Sequence, residues 1–518
     1  MKVVSAREAA ALIGNDTTVA CAGFVGAGHA EAVTSALEQR FVETGSPHGL
    51  TLIYSAGQGD RASRGVNHFG HAGLTRRIIG GHWRSAPKLS RLALENAAGA
   101  WNLPQGVITH LYRAIAAGTP GVITRVGLHT FVDPRHGGGR LNDAATDDLV
   151  ELVTIDGHEY LRYKPLPIHC ALVRGTTADA RGNISCEQEA FHHEILAIAQ
   201  AARNSGGIVI AQVKRLSSEP LNPQLVRLPG ILVDYLVVVG DDPQLHAMTF
   251  GEAHNPAYTG EARAPEHARE VLPLDARKIV QRRALLEVAR HHPRVVNLGV
   301  GMPAGIGAVA REEGVRDFTL TVEAGPIGGT PADGLSFGAS ENPEAIVDQP
   351  AQFDFYDGGG IDMAFLGMAE LDVRGNVNVS LFGEGERRLI AGVGGFINIT
   401  QSTPRVVFVG TLTAGGLEVR SGDGRLEIVR EGRAAKVVGA VGQLSFNGRY
   451  SVELGTDVLY VTERAVFRLI DGRLTVVEIA PGIDLMRDVL ERCGAPVAVA
   501  PHVELMDERI FRAEPMLG

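Results

Sequence analysis

The chain has 518 residues, of which 45% are hydrophobic and 21% are charged, so it has the composition of a folded protein and not of a disordered one. At roughly 150 residues per domain, this length predicts two to four domains. The 49 basic and 59 acidic side chains give a net charge of -10, which excludes a broad basic surface for nucleic acid or for an anionic membrane, and we expect neither partner.

The N-terminal elements alternate between helix and strand. Ser5 and Glu8 form a capping box for a first helix, and residues 18–22 are predicted to form a strand that enters the glycine turn 23–28. A second helix is indicated by apolar residues at spacings of three and four, followed by a glycine cap: Ala30, Val33, Leu37, Phe41 and Gly45. Leu50–Tyr54 is predicted as a strand, and the alternation continues to residues 208–210. This pattern predicts an α/β fold.

The alternation lapses between about Asp241 and Pro273, where four prolines interrupt a stretch rich in Glu, Ala and His. We interpret this stretch as a connection between domains. After it, Asp275 is expected to cap a helix, and residues 295–298 are expected to form a strand that enters a second glycine turn. We therefore predict an N-terminal domain over 1–245, a connection over 246–273 and a C-terminal domain over 274–518.

An internal repeat links the two predicted domains. Asp179, Arg181, Gly182 and Asn183 recur, at a constant offset of 193 residues, as Asp372, Arg374, Gly375 and Asn376. The alternative is a chance similarity between glycine-rich turns. We predict two related open α/β domains with largely parallel sheets, and a ligand cleft between them.

The densest glycine-rich segment runs from Thr321 to Asn398, and Glu323 lies near its start. The preceding residues 318–322 alternate in the manner of a strand, which would bring Glu323 to the carboxyl edge of a sheet, where α/β proteins bind ligands. On composition alone, a glutamate before a glycine-rich turn is more often a solvated or capping residue.

Several motifs extend over nearly the whole chain and carry a family resemblance. They are residues 297–303, 322–325, 353–360, 374–379 and 394–398, together with the turn 23–28, Pro104-Gln105-Gly106 and residues 461–467. As a set they resemble the family I coenzyme A transferases, and most of all the fused-chain acetate, propionate and 3-ketoacid enzymes, which serve short-chain fatty acid and ketone body metabolism.

The resemblance implies an active-site glutamate that carries CoA as a thioester, and Glu323 is the matching position. The two-subunit relatives have serine, glutamate, asparagine and glycine here, whereas this chain has Val322-Glu323-Ala324-Gly325, so the nucleophile is kept and its polar neighbours are lost. Gln105 matches an active-site glutamine. Backbone donors to an oxyanion are expected from Gly394 and Gly395. The residues expected to contact CoA are Gly23, Gly26, Gly28, Gly299, Gly301, Gly338 and Asn342.

The implied reaction moves CoA from a short-chain acyl-CoA to a carboxylic acid such as acetate, propionate, butyrate or acetoacetate, with ping-pong kinetics. A carboxylate is a suitable nucleophile, since it is ionised at pH 7 without a general base. The thioester energy is conserved through each covalent state, so we expect no tightly bound cofactor and no metal. CoA is the co-substrate and part of the covalent intermediate.

Two other functions compete with this interpretation. Residues 334–338 satisfy the G-x-S-x-G pattern of α/β hydrolases, with Ser336 as nucleophile, which would make the protein an acyl-CoA hydrolase or thioesterase. The residues before Ser336 do not resemble a buried strand, and Asn342-Pro343 interrupts the helix that should follow. A noncatalytic acyl-CoA sensor on the same fold is the other alternative.

Cofactor and metal motifs are weak. The glycine turns lack the G-x-G-x-x-G spacing of a dinucleotide site, and three histidine clusters lack the spacing of a zinc site: His68 with His71, His192 with His193, and His291 with His292.

Four irregularly spaced cysteines, Cys21, Cys170, Cys186 and Cys493, indicate reduced thiols. Neither a signal peptide nor a long apolar segment is evident, so we expect a cytoplasmic protein. The resembling enzymes generally assemble, and a homo-oligomer is expected on that ground.

Overall fold

A computed structural model of the chain describes residues 1–265, 271–383, 385 and 388–517. These residues form two compact units that are not continuous along the chain. The first unit contains Met1–Ala264, Val322–Phe355 and Glu384–Asn398, and the second contains Pro265–Thr321, Tyr356–Gly383 and Ile399–Gly518. The first change of unit falls inside the predicted connection, of which residues 266–270 lie outside the described residues. The assignment of 322–355 and 384–398 to the first unit differs from the predicted continuous C-terminal domain.

The first unit is built on an eight-stranded sheet in which all neighbouring strands run parallel. In sheet order its strands are Lys2–Val3, Tyr235–Val238, Ile208–Val213, Cys170–Arg174, Thr18–Cys21, Leu50–Tyr54, Thr75–Gly80 and Gly99–Asn102. The helices of this unit are Ala6–Ala11, Glu31–Thr44, Pro87–Leu94, Gln105–Ala117, Ile195–Asn204 and Pro243–His246. The central strands are buried along their whole length, as expected where helices cover both faces.

Local signals in the N-terminal sequence form as predicted. The Ser5 hydroxyl accepts from the Glu8 amide, and the Glu8 carboxylate accepts from the Ser5 amide, which completes the capping box. The helix Glu31–Thr44 ends at Gly45, whose φ of 71° lies in the left-handed region that glycine adopts without strain. The prediction of an α/β fold with largely parallel sheets is confirmed.

Smaller sheets flank the main sheet of the first unit. One has the strand order Arg215–Leu216, Thr177–Ala178, Ile184–Ser185 and Val226–Leu228, and another has the order Val122–Thr124, His158–Tyr163 and Val150–Ile155. Further short strands are Pro326–Ile327, Thr330–Pro331, Ser340–Glu341, Ala345–Ile346 and Leu389–Ile390.

The second unit contains eight strands of a ten-stranded sheet. Their order is Thr319–Thr321, Val295–Leu298, Met363–Gly367, Arg405–Val409, Asp457–Val461, Ala465–Ile470, Arg473–Ile479 and Ala498–Leu505. The first five are parallel, as are the last two, and two antiparallel pairings join these groups. The unit's helices are Ala276–His291, Ile306–Glu313 and Gly448–Glu453, and Asp275 caps the first of them as predicted.

The remaining strands of the second unit are Glu370–Asp372, Val377–Asn378, Leu381–Phe382, Thr413–Ala414, Glu418–Gly422, Arg425–Arg430, Ala434–Ala435 and Val437–Val438. Helices that contain a boundary between the units are Gln349–Asp357 and Phe396–Ser402. Short 3-10 or π turns are Gly65–Phe69, Pro134–His136, Gly230–Leu232, Pro303–Gly305, Gly334–Ser336, Leu485–Val489, Leu490–Arg492 and Glu508–Phe511.

The repeated motif has the same hydrogen bonds in both units. Asp179 accepts from the Asn183 amide at 3.0 Å and from Asn183 Nδ2 at 2.9 Å. Asp372 accepts from the Asn376 amide and from Asn376 Nδ2 at the same two distances. The common geometry supports the interpretation of two related halves.

The four cysteines are all free thiols, and three of them are buried. Within the described ranges, no helix combines the length and the apolar character needed to span a bilayer.

Candidate active site

The loop that carries Glu323 is held by its two apolar neighbours. Val322 and Ala324 are buried in a hydrophobic cluster with Phe24 and Phe337. Glu323 lies between them, two residues beyond the strand Thr319–Thr321, and its side chain is half-buried. The apolar flanks therefore anchor the loop through packing and leave the carboxylate as the polar group that the loop presents.

Gly395 and Phe353 form a wall beside the Glu323 carboxylate. A Cβ added at Gly395 would lie 3.2 Å from Glu323 Oε1 and 3.1 Å from Phe353 Cζ. The Phe353 ring also closes on Gly106, where an added Cβ would lie 2.4 Å from Phe353 Cδ1. Glycine at 395 and 106 thus lets the backbone approach the carboxylate and the ring closely.

Gln105 lies at the same place. It begins the helix Gln105–Ala117, and its side chain is buried. Its backbone N–H donates to the Gly394 carbonyl oxygen at 2.9 Å. A Cβ added at Gly394 would lie 3.5 Å from Gln105 Oε1. The structure therefore places Gln105 and Glu323 beside the consecutive glycines 394 and 395.

These four residues all belong to the first unit. The predicted domain boundaries, 1–245 and 274–518, separate Gln105 from Glu323, whereas in the structure the segments that carry Glu323 and the glycine pair belong to the same unit as Gln105.

The two predicted oxyanion donors differ in what they already bind. The Gly394 amide donates to the Gly81 carbonyl oxygen at 2.8 Å and is therefore occupied. Among the described residues, the Gly395 amide and the buried Gln105 Nε2 have no hydrogen-bond partner. The Gly395 amide and Gln105 Nε2 are therefore the donors left unbonded here, while the Gly394 amide holds the turn against Gly81.

Burial changes the acid–base state expected for Glu323. The surrounding protein removes water from its carboxylate and raises its pKa to about 7. No described residue donates a hydrogen bond to it. The carboxylate is therefore partly protonated at pH 7, which differs from the expectation of an ionised carboxylate.

Two asparagines position these groups, and the sequence interpretation assigned neither a role. Asn398 Oδ1 accepts from the Gly106 amide at 3.2 Å. Asn102 Oδ1 accepts from the Val393 amide at 3.0 Å, while Asn102 Nδ2 donates to the Gly80 and Gly81 carbonyls. The glycines around these asparagines were the available sequence signal.

The glycines predicted to bind CoA in the first unit pack against the chain itself. An added Cβ would lie 2.3 Å from the Leu335 carbonyl oxygen at Gly26, and 2.0 Å from His193 Nε2 at Gly28. At Gly23 the nearest atoms belong to Gln58, and at Gly338 to Phe24. These contacts explain the glycines by internal packing, without a ligand.

The other predicted CoA contacts fall into two groups. The Asn342 side chain accepts from the Ala264 amide at 2.9 Å and donates to the Ala264 carbonyl oxygen at 3.1 Å, so it is occupied within the protein. Gly299 and Gly301 belong to the second unit, and the Cβ position of Gly301 is open, with no atom within 4 Å.

Ser336 does not have the environment of a hydrolase nucleophile. It ends the short 3-10 turn Gly334–Ser336, and its hydroxyl bonds Thr249 Oγ1 at 2.8 Å and Glu252 Oε2 at 3.0 Å. The chain then enters the short strand Ser340–Glu341 instead of a helix. Both observations argue against the nucleophile elbow.

The histidines of the three clusters lie in different environments. His68 bonds Glu31 at 2.8 Å and Glu38 at 2.5 Å, whereas both ring nitrogens of buried His193 lack a partner. Of the residues that the structure describes, no three His, Cys, Asp or Glu side chains converge in a way that would hold a metal ion.

Comparisons with known proteins agree on one group. The family model described as Coenzyme A transferase matches residues 3–239. The chain is 46% identical over 515 residues to the caffeate CoA-transferase of Acetobacterium woodii, with 98% of this chain and 97% of that protein covered. It is 44% identical over 513 residues to the acetate CoA-transferase YdiF of Escherichia coli strain K12, with 98% and 95% covered.

Solved structures extend this agreement to the fold. Crystal structures of the acyl-CoA transferase YdiF from Escherichia coli O157:H7 match with TM-scores of 0.93 for the apoenzyme and 0.92 for a thioester complex with CoA. Each is 42% identical and covers 100% of this chain and 97% of the other.

Proposed function

The chain belongs to the coenzyme A transferase family and is an acyl-CoA:carboxylate CoA-transferase, and from this premise we propose that Glu323 carries the CoA between the two acids. The observation that carries the proposal is the Glu323 carboxylate itself, which has no partner among the described residues and lies against Gly395, beside Gln105. The thioester complex with CoA of YdiF, a relative at 42% identity, adds support.

The proposed first half-reaction has two steps. A Glu323 carboxylate oxygen attacks the thioester carbonyl carbon of the acyl-CoA, the carbon–sulfur bond breaks, and CoA leaves as a thiolate. A mixed anhydride of Glu323 and the acyl group remains. The thiolate then attacks the Glu323 carbonyl carbon, the anhydride carbon–oxygen bond breaks, and the carboxylate of the donor acid departs. Glu323 is left as a thioester of CoA.

The second half-reaction runs the same steps in reverse. The acceptor carboxylate attacks the glutamyl thioester and expels the thiolate, which then attacks the acyl carbonyl carbon of the new anhydride. Acyl-CoA leaves and the Glu323 carboxylate is restored. Protons and electrons balance without a further reactant, because each step exchanges one acyl bond for another.

Each attack places negative charge on a carbonyl oxygen, and two donors are available for it. The Gly395 amide and Gln105 Nε2 have no partner within the described part of the chain. A donor aimed at such an oxyanion contributes roughly 2.7–4 kcal/mol, so these two groups are the proposed oxyanion site.

We propose short carboxylic acids such as acetate and propionate as substrates. One relative is named for acetate and another for caffeate. A pocket distinguishes one methylene by only about 1–3 kcal/mol, so a panel of acyl-CoA donors and acid acceptors that includes an aromatic acid will identify the preferred pair.

The test is the covalent adduct. Acetyl-CoA without acceptor should load CoA onto the peptide that contains Glu323, and propionate should remove it, both seen by mass spectrometry of peptides. Glu323→Gln should abolish adduct and exchange. Ser336→Ala is the control for the hydrolase alternative, and should retain both. An adduct on any other residue, or exchange by Glu323→Gln, would overturn the proposal.

A further inference from the structure

His82 lies on a segment that is hydrogen-bonded to the segment carrying Gly394 and Gly395. The Trp83 amide donates to the Ala391 carbonyl oxygen at 2.7 Å, which ties the segment after Gly81 to the segment before Gly394. A Cβ added at Gly392 would lie 2.8 Å from His82 Cα. His82 is therefore held by the backbone that positions the proposed oxyanion site.

The imidazole of His82 is turned toward that site. Its Nδ1 lies next to the Gly57 backbone, where an added Cβ would lie 2.5 Å from Nδ1. Its Cδ2 edge, which leads to Nε2, lies 3.9 Å from the Cβ position of Gly394, and Gln105 Oε1 lies 3.5 Å from the same point. Nε2 is thus the ring nitrogen left available on the side of Gln105.

Neither ring nitrogen of His82 has a hydrogen-bond partner within the described ranges. Burial, together with the charges of Arg84 and Arg61, lowers the His82 pKa to about 4. The ring is therefore neutral at pH 7, where it supplies one N–H donor and no acidic proton.

We propose that His82 is a further catalytic residue, which donates a hydrogen bond from Nε2 to the acyl oxygen that becomes the oxyanion, alongside Gln105 and Gly395. In the second half-reaction, which reverses the first, the carbonyl oxygen that derives from the acceptor carboxylate occupies the same position near Nε2. This inference rests on the proposed function of Glu323.

The test compares three substitutions at this position. His82→Phe keeps the ring and removes the donor, and should lower kcat and kcat/KM together by about 100-fold, as is typical for loss of one oxyanion donor. His82→Gln can place an amide N–H near the Nε2 position and should stay within about tenfold of the unsubstituted enzyme. His82→Asn reaches only the Nδ1 position and should resemble His82→Phe.

His158→Gln, a change at an exposed histidine in the same unit, is the matched control and should leave the rate unchanged. Glutamyl-CoA formation in a single turnover should slow in parallel with kcat. A His82→Phe rate within threefold of the unsubstituted enzyme would overturn the inference. If His82→Phe folds poorly, His82→Gln and His82→Asn are compared instead. A His82→Gln rate at least tenfold above that of His82→Asn supports the role of Nε2 as a donor, and equal rates exclude it.

Failure of this inference is distinguishable from failure of the proposed function. If Glu323 is not the nucleophile, the unsubstituted enzyme forms no adduct on it. If only the role of His82 is wrong, that adduct forms at the same rate with or without the imidazole.

Discussion

Gly395→Ala places one methyl group against the proposed nucleophile. The new Cβ would lie 3.2 Å from Glu323 Oε1 and 3.1 Å from Phe353 Cζ, whereas ordinary contacts begin at 3.4 Å. Phe353 is fully buried and cannot yield easily, while the Glu323 carboxylate has no described hydrogen bond to hold it. The carboxylate should therefore move by a few tenths of an ångström. Since a misplacement of about 1 Å can cost about 100-fold, a movement of a few tenths of an ångström should lower kcat by about 3- to 10-fold.

The same substitution should leave the fold intact. Gly395 is not among the residues with a left-handed φ, and alanine at a compatible glycine position stabilises by about 0.4–1 kcal/mol through the unfolded chain. Steady-state exchange and the rate of adduct formation measure the loss, and urea unfolding measures stability. Gly14→Ala is the control, because its Cβ would meet only Thr17 at 3.7 Å.

The neighbouring Gly394→Ala should behave differently. Gly394 has a φ of 52°, and its Cβ would lie 3.5 Å from Gln105 Oε1, so the methyl fits but the backbone is strained. This variant should lose about 1–2 kcal/mol of stability.

Exchange at the unsubstituted rate by a folded Gly395→Ala enzyme would refute the argument that Gly395 is needed to make room for Glu323.

Two further predictions concern pH. Because burial raises the Glu323 pKa to about 7, kcat/KM for acyl-CoA should rise with pH and level off above about 7; a rate that is flat from pH 5.5 to 8 would contradict this. Burial also raises the pKa of Glu194 to about 8, although the hydrogen bond from Ser55 acts to lower it. The contribution of protonated Glu194 to the free energy of unfolding is therefore fully present below the ordinary glutamate pKa and is lost as pH rises through about 8. Glu194→Gln should remove this loss, and its unfolding free energy in urea should exceed that of the parent chain by more at pH 8.5 than at pH 6; an equal difference at both pH values would count against it.

The sequence predicts the fold well where structure is local. Buried parallel strands such as Leu50–Tyr54 are short apolar runs, and the caps at Ser5 and Gly45 act within a few residues. The composition of the two units depends instead on distant contacts. The hydrogen bond from the Gly106 amide to Asn398 joins residues 292 apart, and no periodicity in the chain indicates it.

The candidate site divides in the same way. Glu323 has a sequence signal in the strand before it and the glycines after it, while Gln105 was identified through the family resemblance alone. The different roles of Gly394 and Gly395 follow from a single hydrogen bond to Gly81, which composition cannot show. Burial of the carboxylate, and hence its raised pKa, likewise arises only when the first unit has folded.

The unpaired groups of this site have a common physical explanation. Leaving a buried donor such as Gln105 Nε2 without a partner costs about 1–3 kcal/mol. The fold nevertheless brings three unbonded groups together, namely Gln105 Nε2, the Gly395 amide and the Glu323 carboxylate. In the proposed reaction these groups act together, since the attack by the carboxylate creates the oxyanion that the donors would bind. A pKa near 7 leaves part of the Glu323 carboxylate protonated at neutral pH, which lowers the expected rate in proportion to the protonated fraction. Each donor that meets the oxyanion contributes about 100-fold, so unoccupied donors beside the carboxylate favour the proposed reaction more than the raised pKa opposes it.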